Sequence, residues 1–170
     1  MANDRLVIRS RFNDEETAFL IPWIAAAIQA QRYVSVRSKA EIRDALQKGE
    51  IMLGFVDKKP AGFLFSQRIW KNYYELGGWT AVPPFSFPFT GPRMLEEVLR
   101  SPHKKFVFFT FQLKVLRFVR RYGGTKINLL SLPPPVWCHL LLSRINRARL
   151  LSIIQFYRKE KAVILGLIET

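Results

Sequence analysis

The chain has 170 residues, of which 49% are hydrophobic and 14% aromatic, and it contains no Gln-, Ser- or Gly-rich tract. These values favour a single folded domain spanning residues 1–170 and exclude a disordered protein. The formal net charge is +14, and residues 101–170 carry 13 Lys and Arg against 2 acids. This charge favours an anionic partner, namely a phosphorylated cofactor, an acidic protein, nucleic acid or a membrane face, but a merely solvated basic surface is an equally common cause.

The cysteine and histidine content excludes two further classes of protein. Cys138 is the only cysteine, and His103 and His139 are the only histidines. Neither a disulfide framework nor a Cys/His zinc site is therefore possible within one molecule, and a reducing, cytoplasmic compartment is the simplest expectation. The N-terminal residues do not form a secretory signal, and the apolar stretches are shorter than the roughly 20 residues that span a bilayer.

The first elements in the sequence are a strand and helices. Leu6–Phe12 alternates apolar and basic residues, which predicts a half-buried strand. From Asp14 to about Arg32, acids precede an apolar body that Pro22 interrupts, which predicts one kinked helix or two consecutive helices. Ser38 and Glu41 form a capping-box pattern at the start of a short helix that ends at Gly49.

A three-stranded meander is predicted next. Glu50–Val56 and Ala61–Trp70 are strand-like and flank a polar turn at residues 57–60. Tyr73–Val82 reads as the third strand, which the prolines at 83 and 84 end.

The second half of the sequence predicts a change to parallel pairing. Gly91 and Pro92 indicate a helix start, and Lys104–Phe111 has the composition of a strand buried on both faces. A helix over Gln112–Tyr122 follows. The order of strand, helix, strand and helix implies a crossover between parallel neighbours.

The C-terminal residues predict two strands and a helix between them. The strands are Lys126–Leu132 and Lys161–Ile168, and the helix runs from about Val136 to Arg144. The whole pattern predicts an α/β (α+β) fold with a mixed, mostly antiparallel twisted sheet of 6 to 7 strands flanked by helices.

The segment ELGGWTAVPPFSFPFTG (Glu75–Gly91) resembles a stretch of the GNAT-type N-acetyltransferases. In that family a strand with a Glu and a Val-x-Pro end leads into an Arg/Gln-x-x-Gly-x-Gly/Ala loop and a helix. The hairpin ending in Ala61–Phe63 resembles the family's second and third strands, and Gln112–Gly124 resembles its later Asn-x-x-Ala helix. The resemblance implies a GNAT-like fold and acyl transfer from acetyl-CoA or another acyl-CoA to an amine.

The resemblance also implies where the cofactor binds. Backbone N–H groups of the loop converge on its pyrophosphate, which is why glycines are usual there. Ser86, Phe87 and Phe89 stand where the family has Arg/Gln, the middle residue and the first Gly, and only Gly91 keeps the pattern. The alternative is that the prolines and the glycine only end the strand and start the helix on either side of an aromatic surface loop. The positions assigned to the cofactor are Ala81, Val82, Phe87, Phe89, Thr90, Gly91, Pro92 and Gln112.

Two residues are candidates for acid–base catalysis by the same resemblance. Glu75 occupies the place of a carboxylate that deprotonates the substrate amine, and the alternative is a strand Glu paired with a nearby base. The family's general-acid Tyr falls at Val119, which cannot donate a proton. The acid is therefore missing, displaced to Tyr122 three residues on, or supplied by another residue, and Tyr122 is the candidate named here.

The expected activity is N-acetyl transfer to a small molecule or to a protein amino group. The alternative is an inactive binding module of the same fold that uses its basic C-terminal third to hold an acidic protein or nucleic acid. Arg144, Arg147 and Arg149 have near-helical spacing and are the candidate contacts for that role.

Overall fold

The computed structural model describes residues 6–31, 36–83, 87–110, 113–142 and 164–170. The strands are β1 (Val7–Arg9), β2 (Ile51–Val56), β3 (Lys59–Trp70), β4 (Tyr73–Ala81), β5 (Lys105–Thr110), β6 (Thr125–Lys126) and β7 (Ile164–Glu169). The α-helices are α1 (Asp14–Ala30), α2 (Lys39–Gln47), α3 (Phe87–Leu99), α4 (Leu113–Val119) and α5 (Pro134–Leu142). Single 3₁₀ turns lie at Arg120–Tyr122 and Leu129–Ser131.

The seven strands form one mixed sheet in the order β1-β2-β3-β4-β5-β7-β6. The pairs β1–β2, β2–β3, β5–β7 and β6–β7 are antiparallel. β4 and β5 run parallel, with α3 between them in sequence, as a parallel pair requires. The predicted mixed, mostly antiparallel sheet flanked by helices is therefore confirmed.

The described residues divide into two compact units, and the first comprises Met1–Gln67 and Gly77–Ser101. In this unit α1 and α2 cover one face of β2 and β3. Leu20, Ile24 and Ile42 from the helices meet Leu53 and Phe63 from the strands in a core that excludes water. Burying several large apolar side chains in this way is the main source of the unit's stability.

The helix termini of this unit follow the signals in the sequence. At α2, the Glu41 amide donates to Ser38 Oγ (3.2 Å) and the Ser38 amide donates to Glu41 Oε2 (2.7 Å), which confirms the predicted capping box. Asn13 and Glu16 form a second capping box at α1. Pro22 lies within α1, which continues as one helix to Ala30 rather than dividing into two.

The second compact unit comprises Arg68–Leu76 and Pro102–Thr170. Val107 of β5 is fully buried and packs with Leu165 of β7 and with Val136 and Leu140 of α5. Thr170 joins the end of β7 to the segment before β5, because the His103 amide donates to the Thr170 carbonyl (2.9 Å) and the Thr170 amide donates to the Lys104 carbonyl (3.0 Å).

Several predicted boundaries are wrong. The strand expected over Leu6–Phe12 spans only Val7–Arg9. The helix expected to begin at Gly91–Pro92 begins at Phe87, because a proline is tolerated inside α3 as well as at its start. The strand expected over Lys126–Leu132 is only two residues long. Asn128 ends it by accepting a hydrogen bond from the Leu130 amide (3.1 Å), which starts a 3₁₀ turn instead. Among the described residues, no helix is both long enough and apolar enough to cross a membrane.

Candidate active site

The parallel pair of β4 and β5 fixes the position of Glu75. The register aligns Tyr73 with Lys105 and Glu75 with Val107. Paired residues of neighbouring strands point to the same face of a sheet, so the Glu75 side chain lies on the face that carries Val107. Glu75 is half-buried there.

The surroundings of Glu75 on this face are apolar and aromatic. Tyr73 and Phe109 lie next to Glu75 and Val107 at alternate positions of the two strands, and both pack against the buried cluster around Val107. The Tyr73 ring lies 6.3 Å from the Trp70 ring. A half-buried carboxylate is thus placed on a face that also carries aromatic rings.

One cation lies at the edge of the same face. Lys105 Nζ is 5.7 Å from the centre of the Tyr73 ring and 2.6 Å from Glu169 Oε1 on β7. The hydrogen bond to Glu169 raises the pKa of Lys105. The positive charge of Lys105 is therefore paired within the face.

Tyr74 lies on the opposite face of β4. Its ring is 5.7 Å from the ring of Phe106, the neighbouring residue in the register, and Lys104 Nζ lies 4.6 Å from its centre. Tyr73 thus lies on the face of the sheet that carries Glu75, and Tyr74, the next residue, lies on the opposite face.

β4 contains a backbone irregularity at Gly78. Gly78 has a φ of +57° inside the strand, the left-handed conformation found at the glycine of a G1-type β-bulge. The doublet Gly77-Gly78 within an otherwise strand-like run was the available signal.

The end of β4 presents one backbone edge to β3 and the other away from it. The Val82 amide donates to the Ala61 carbonyl of β3 (2.8 Å). Because successive strand residues direct their polar groups to alternate edges, the N–H of Ala81 points away from β3. Of the two residues expected to contact the cofactor arm, Ala81 is therefore the one whose amide is directed away from β3.

The N-terminus of α3 is the expected phosphate site. Amides in the first turn of a helix have no carbonyl acceptor within the helix, so they can donate to a phosphate. In α3 these are the amides of Phe87 and Phe89, since Pro88 has no N–H. Thr90 and Gly91 come one turn later, where amides donate to carbonyls of the helix. Ser86 lies outside the described residues.

Packing beneath α3 holds this helix close to the sheet. Thr90, Gly91 and Met94 are buried. A Cβ atom at Gly62 of β3 would lie 2.6 Å from the Thr80 carbonyl oxygen and 3.3 Å from Met94 Cε, so a glycine is needed where β4 and α3 approach. The burial of Thr90 does not fit the expected contact of its hydroxyl with a phosphate.

The candidate acid Tyr122 ends the 3₁₀ turn after α4. It is half-buried, with its ring 5.4 Å from that of Phe118. Val119, which holds the position of the family's Tyr, is 2% exposed and belongs to the core. Gln112 lies outside the described residues, as do Arg144, Arg147 and Arg149.

Other reactive side chains do not form a second site within the described ranges. Cys138 is half-buried, and His103 is exposed in its loop. No group of three or more His, Cys, Asp or Glu among the described residues could hold a metal ion.

No protein-family model matches the sequence, and no curated protein matches it. Solved structures do match. Rv2747 from Mycobacterium tuberculosis, in complex with CoA and the ligand NLQ, is similar with a TM-score of 0.70 at 15% identity over 96% of this chain and 99% of that one. Naa50 from Arabidopsis thaliana, in complex with the bisubstrate analogue CoA-Ac-MVNAL, has a TM-score of 0.60 at 10% identity over 97% and 99%.

An acetyltransferase of the GNAT family from Streptococcus pneumoniae has a TM-score of 0.59 at 13% identity, over 73% of this chain and 87% of that one. The chain has the GNAT acetyltransferase fold. At these identities the similarity concerns the fold.

Proposed function

We propose that the chain is an acyl-CoA-dependent N-acyltransferase that transfers an acetyl group to an amine of a small molecule or a protein. The GNAT fold supports this proposal, and so do the CoA complexes of Rv2747 and Naa50. The observation that carries it is the half-buried carboxylate of Glu75 on β4, beside the parallel strand β5. The single cysteine supports a cytoplasmic location.

In the proposed reaction Glu75 acts as the general base. Its carboxylate accepts the proton of the amine, directly or through water, so that the amine nitrogen attacks a carbonyl carbon. Acyl-CoA supplies the thioester that contains this carbonyl; the new C–N bond forms, the C–S bond breaks, and CoA leaves as thiolate. Tyr122 is the proposed donor of the proton that the thiolate takes up. Holding both reactants side by side provides most of the acceleration.

The start of α3 is the proposed pyrophosphate site. Its first-turn amides, from Phe87 and Phe89, point out of the helix terminus where the macrodipole is positive. Ala81 is the proposed partner of the pantetheine arm, because its amide points away from β3. Gly91 and Pro92 belong to the next turn of α3, so the proposal gives them no donor role, and Gln112 stays an expected amide contact.

Calorimetric titration of acetyl-CoA, followed by an assay of thiol release with an amine acceptor, tests this function. Glu75→Gln is expected to retain acetyl-CoA affinity within about twofold and to lower kcat by roughly 10²–10⁴-fold, the usual contribution of a general base. No acetyl-CoA binding at millimolar concentration would contradict the proposal.

A second candidate function is binding of an acidic macromolecule. Arg117, Arg120 and Arg121 are all exposed, and their i, i+3, i+4 spacing places them on one face of α4 and its 3₁₀ extension. The sequence from residue 98 to residue 159 contains no acid. This row of arginines supports the binding of nucleic acid or an acidic protein, alone or together with acyl transfer.

A further inference from the structure

We propose that one end of the sheet in the second unit binds a single-stranded nucleic acid, through phosphate contacts of its cations and stacking of bases on its aromatic rings. This inference rests on the second candidate function, the binding of an acidic macromolecule. It goes further because it names the class of that macromolecule and the surface that receives it, and it does not depend on acyl transfer.

The strand registers bring two turns together at this end of the sheet. β4 and β5 are parallel and begin side by side, with Tyr73 opposite Lys105. β3 ends at Trp70, and the turn Lys71–Asn72 leads directly into β4. The cations of this turn and those at the start of β5 are therefore neighbours.

The end of α4 and its 3₁₀ extension reaches the same end of the sheet. β6 begins with Thr125 at the level of Val107, since both are paired with Leu167 of β7. The 3₁₀ turn Arg120–Tyr122 comes directly before β6 and so lies toward the start of β5. The cations collected here, called the basic end below, are Arg68, Lys71, Lys104, Lys105, Arg120 and Arg121.

Hydrogen bonds fix the two turns of the basic end to each other. The Lys105 amide donates to the Asn72 carbonyl (2.8 Å), and Asn72 Nδ2 donates to the His103 carbonyl (3.2 Å). Within the β3–β4 connection, Arg68 Nε donates to the Lys71 carbonyl (2.9 Å). Cations on turns that are already ordered lose less conformational freedom when they bind a polyanion.

Two lysines of the basic end lie over aromatic rings. Lys71 Nζ is 4.4 Å from the centre of the Trp70 ring, and Lys104 Nζ is 4.6 Å from that of the Tyr74 ring. Because Lys71 is exposed and Trp70 is half-buried, the ammonium covers this ring from the solvent side. A base can take this face of the ring while the ammonium moves to a neighbouring phosphate, and single strands are bound by this combination of stacking and charge.

The aromatic rings favour a single strand over other acidic macromolecules. An acidic protein offers no bases, and the bases of a duplex are already stacked on one another. A single strand alone uses the cations and the rings of the basic end together.

Fluorescence anisotropy of the full chain with a labelled oligothymidine tests the proposal, with the same strand annealed to its complement and poly-glutamate as comparisons. Charge alone favours the duplex, whose charge density is higher. We expect the single strand to bind at least about threefold more tightly than the duplex, because stacking adds to the phosphate contacts. Poly-glutamate is expected to bind more weakly than either.

Two double variants separate the basic end from the total charge. Lys71→Gln with Lys104→Gln is expected to lower single-strand affinity about tenfold and to make the slope of log K against log salt shallower by about 1.4, or about 0.7 for each phosphate contact. Lys58→Gln with Lys59→Gln removes the same charge from exposed positions at the turn between β2 and β3. Lys58 matches Lys71 in having a positive φ (+65° and +47°), and we expect this control to leave the slope unchanged.

Trp70→Leu separates stacking from charge. It is expected to weaken single-strand binding about tenfold and to leave the salt slope unchanged, since a ring releases no counterion. Trp23→Leu replaces another half-buried tryptophan, on α1, and should not change the affinity. Circular dichroism checks folding, and Tyr74→Leu provides the same comparison if Trp70→Leu does not fold.

The outcomes separate this inference from the candidate function on which it rests. Equal effects of the two lysine double variants would overturn the inference. Binding of the duplex or of poly-glutamate at least as tightly as the single strand would also overturn it, and would leave the binding of an acidic macromolecule standing. A protein that binds none of the three polyanions would overturn both.

Discussion

Pro88 is the residue that most restricts the proposed phosphate site. It is the second residue of α3 and removes one amide from the first turn of the helix. Pro88→Ala restores that amide, and we expect acetyl-CoA to bind about tenfold more tightly. A hydrogen bond to a charged group contributes about 1.5–3 kcal/mol, and 1.4 kcal/mol is a factor of ten. Calorimetry measures the change in Kd.

Pro92→Ala is the control for this prediction, because it restores an amide in the next turn of the same helix. That amide meets a backbone carbonyl within α3, so it should raise the melting temperature and leave acetyl-CoA affinity within twofold. Wild-type protein that binds acetyl-CoA but gains nothing from Pro88→Ala would place the pyrophosphate elsewhere.

At the scale of elements, Glu16 joins the start of α1 to β1. Both of its carboxylate oxygens accept hydrogen bonds from Arg9 (2.7 and 2.9 Å), and Oε2 also accepts from the Asn13 amide (3.0 Å). The hydrogen bonds from Arg9, and then from Asn13, lower the pKa of Glu16 below its ordinary value. A carboxyl whose pKa is lower in the folded state stabilises that state above its unfolded pKa, and this contribution is lost as pH falls through the folded pKa.

We therefore expect Glu16→Gln to lower the free energy of unfolding at neutral pH, and the difference from wild type to disappear as pH falls below the ordinary range of a glutamate. Gln keeps the capping-box hydrogen bond, so the ion pair is what is lost. Urea denaturation between pH 7 and pH 3 measures the difference. Glu15→Gln removes the same charge one residue earlier, and an equal pH dependence for that variant would show that helix-terminal charge is responsible instead.

How far an element can be predicted depends on whether its signal is local. The α2 capping box and the turn at Asp57 and Lys58 are local, and both are found, the turn with φ values of +49° and +65°. The predicted start of α3 at Gly91–Pro92 is wrong because a helix that is packed against a sheet tolerates a proline, here Pro92, in its interior. The pairing of Glu75 with Val107 joins residues far apart in sequence, so the sequence could name the carboxylate but not its aromatic surroundings.

At the scale of the whole molecule, the net charge of +14 has two explanations that make different predictions. A charge that only keeps the protein in solution acts through its total. A charge that binds a partner acts through its position, and the described candidate is the row Arg117, Arg120 and Arg121. Each phosphate contact contributes about 0.7 to the slope of log K against log salt for a single strand.

Replacing the three arginines by Gln tests position against total charge. If the row binds nucleic acid, affinity for a single-stranded oligonucleotide should fall and the slope should become shallower by about 2, as measured by fluorescence anisotropy at several salt concentrations. The matched control replaces the exposed cations Lys39, Arg43 and Lys48 of α2 and its C-terminal cap by Gln and removes the same charge. Equal effects of the two triple variants would mean that total charge alone attracts the polyanion, because only a specific surface distinguishes α4 from α2.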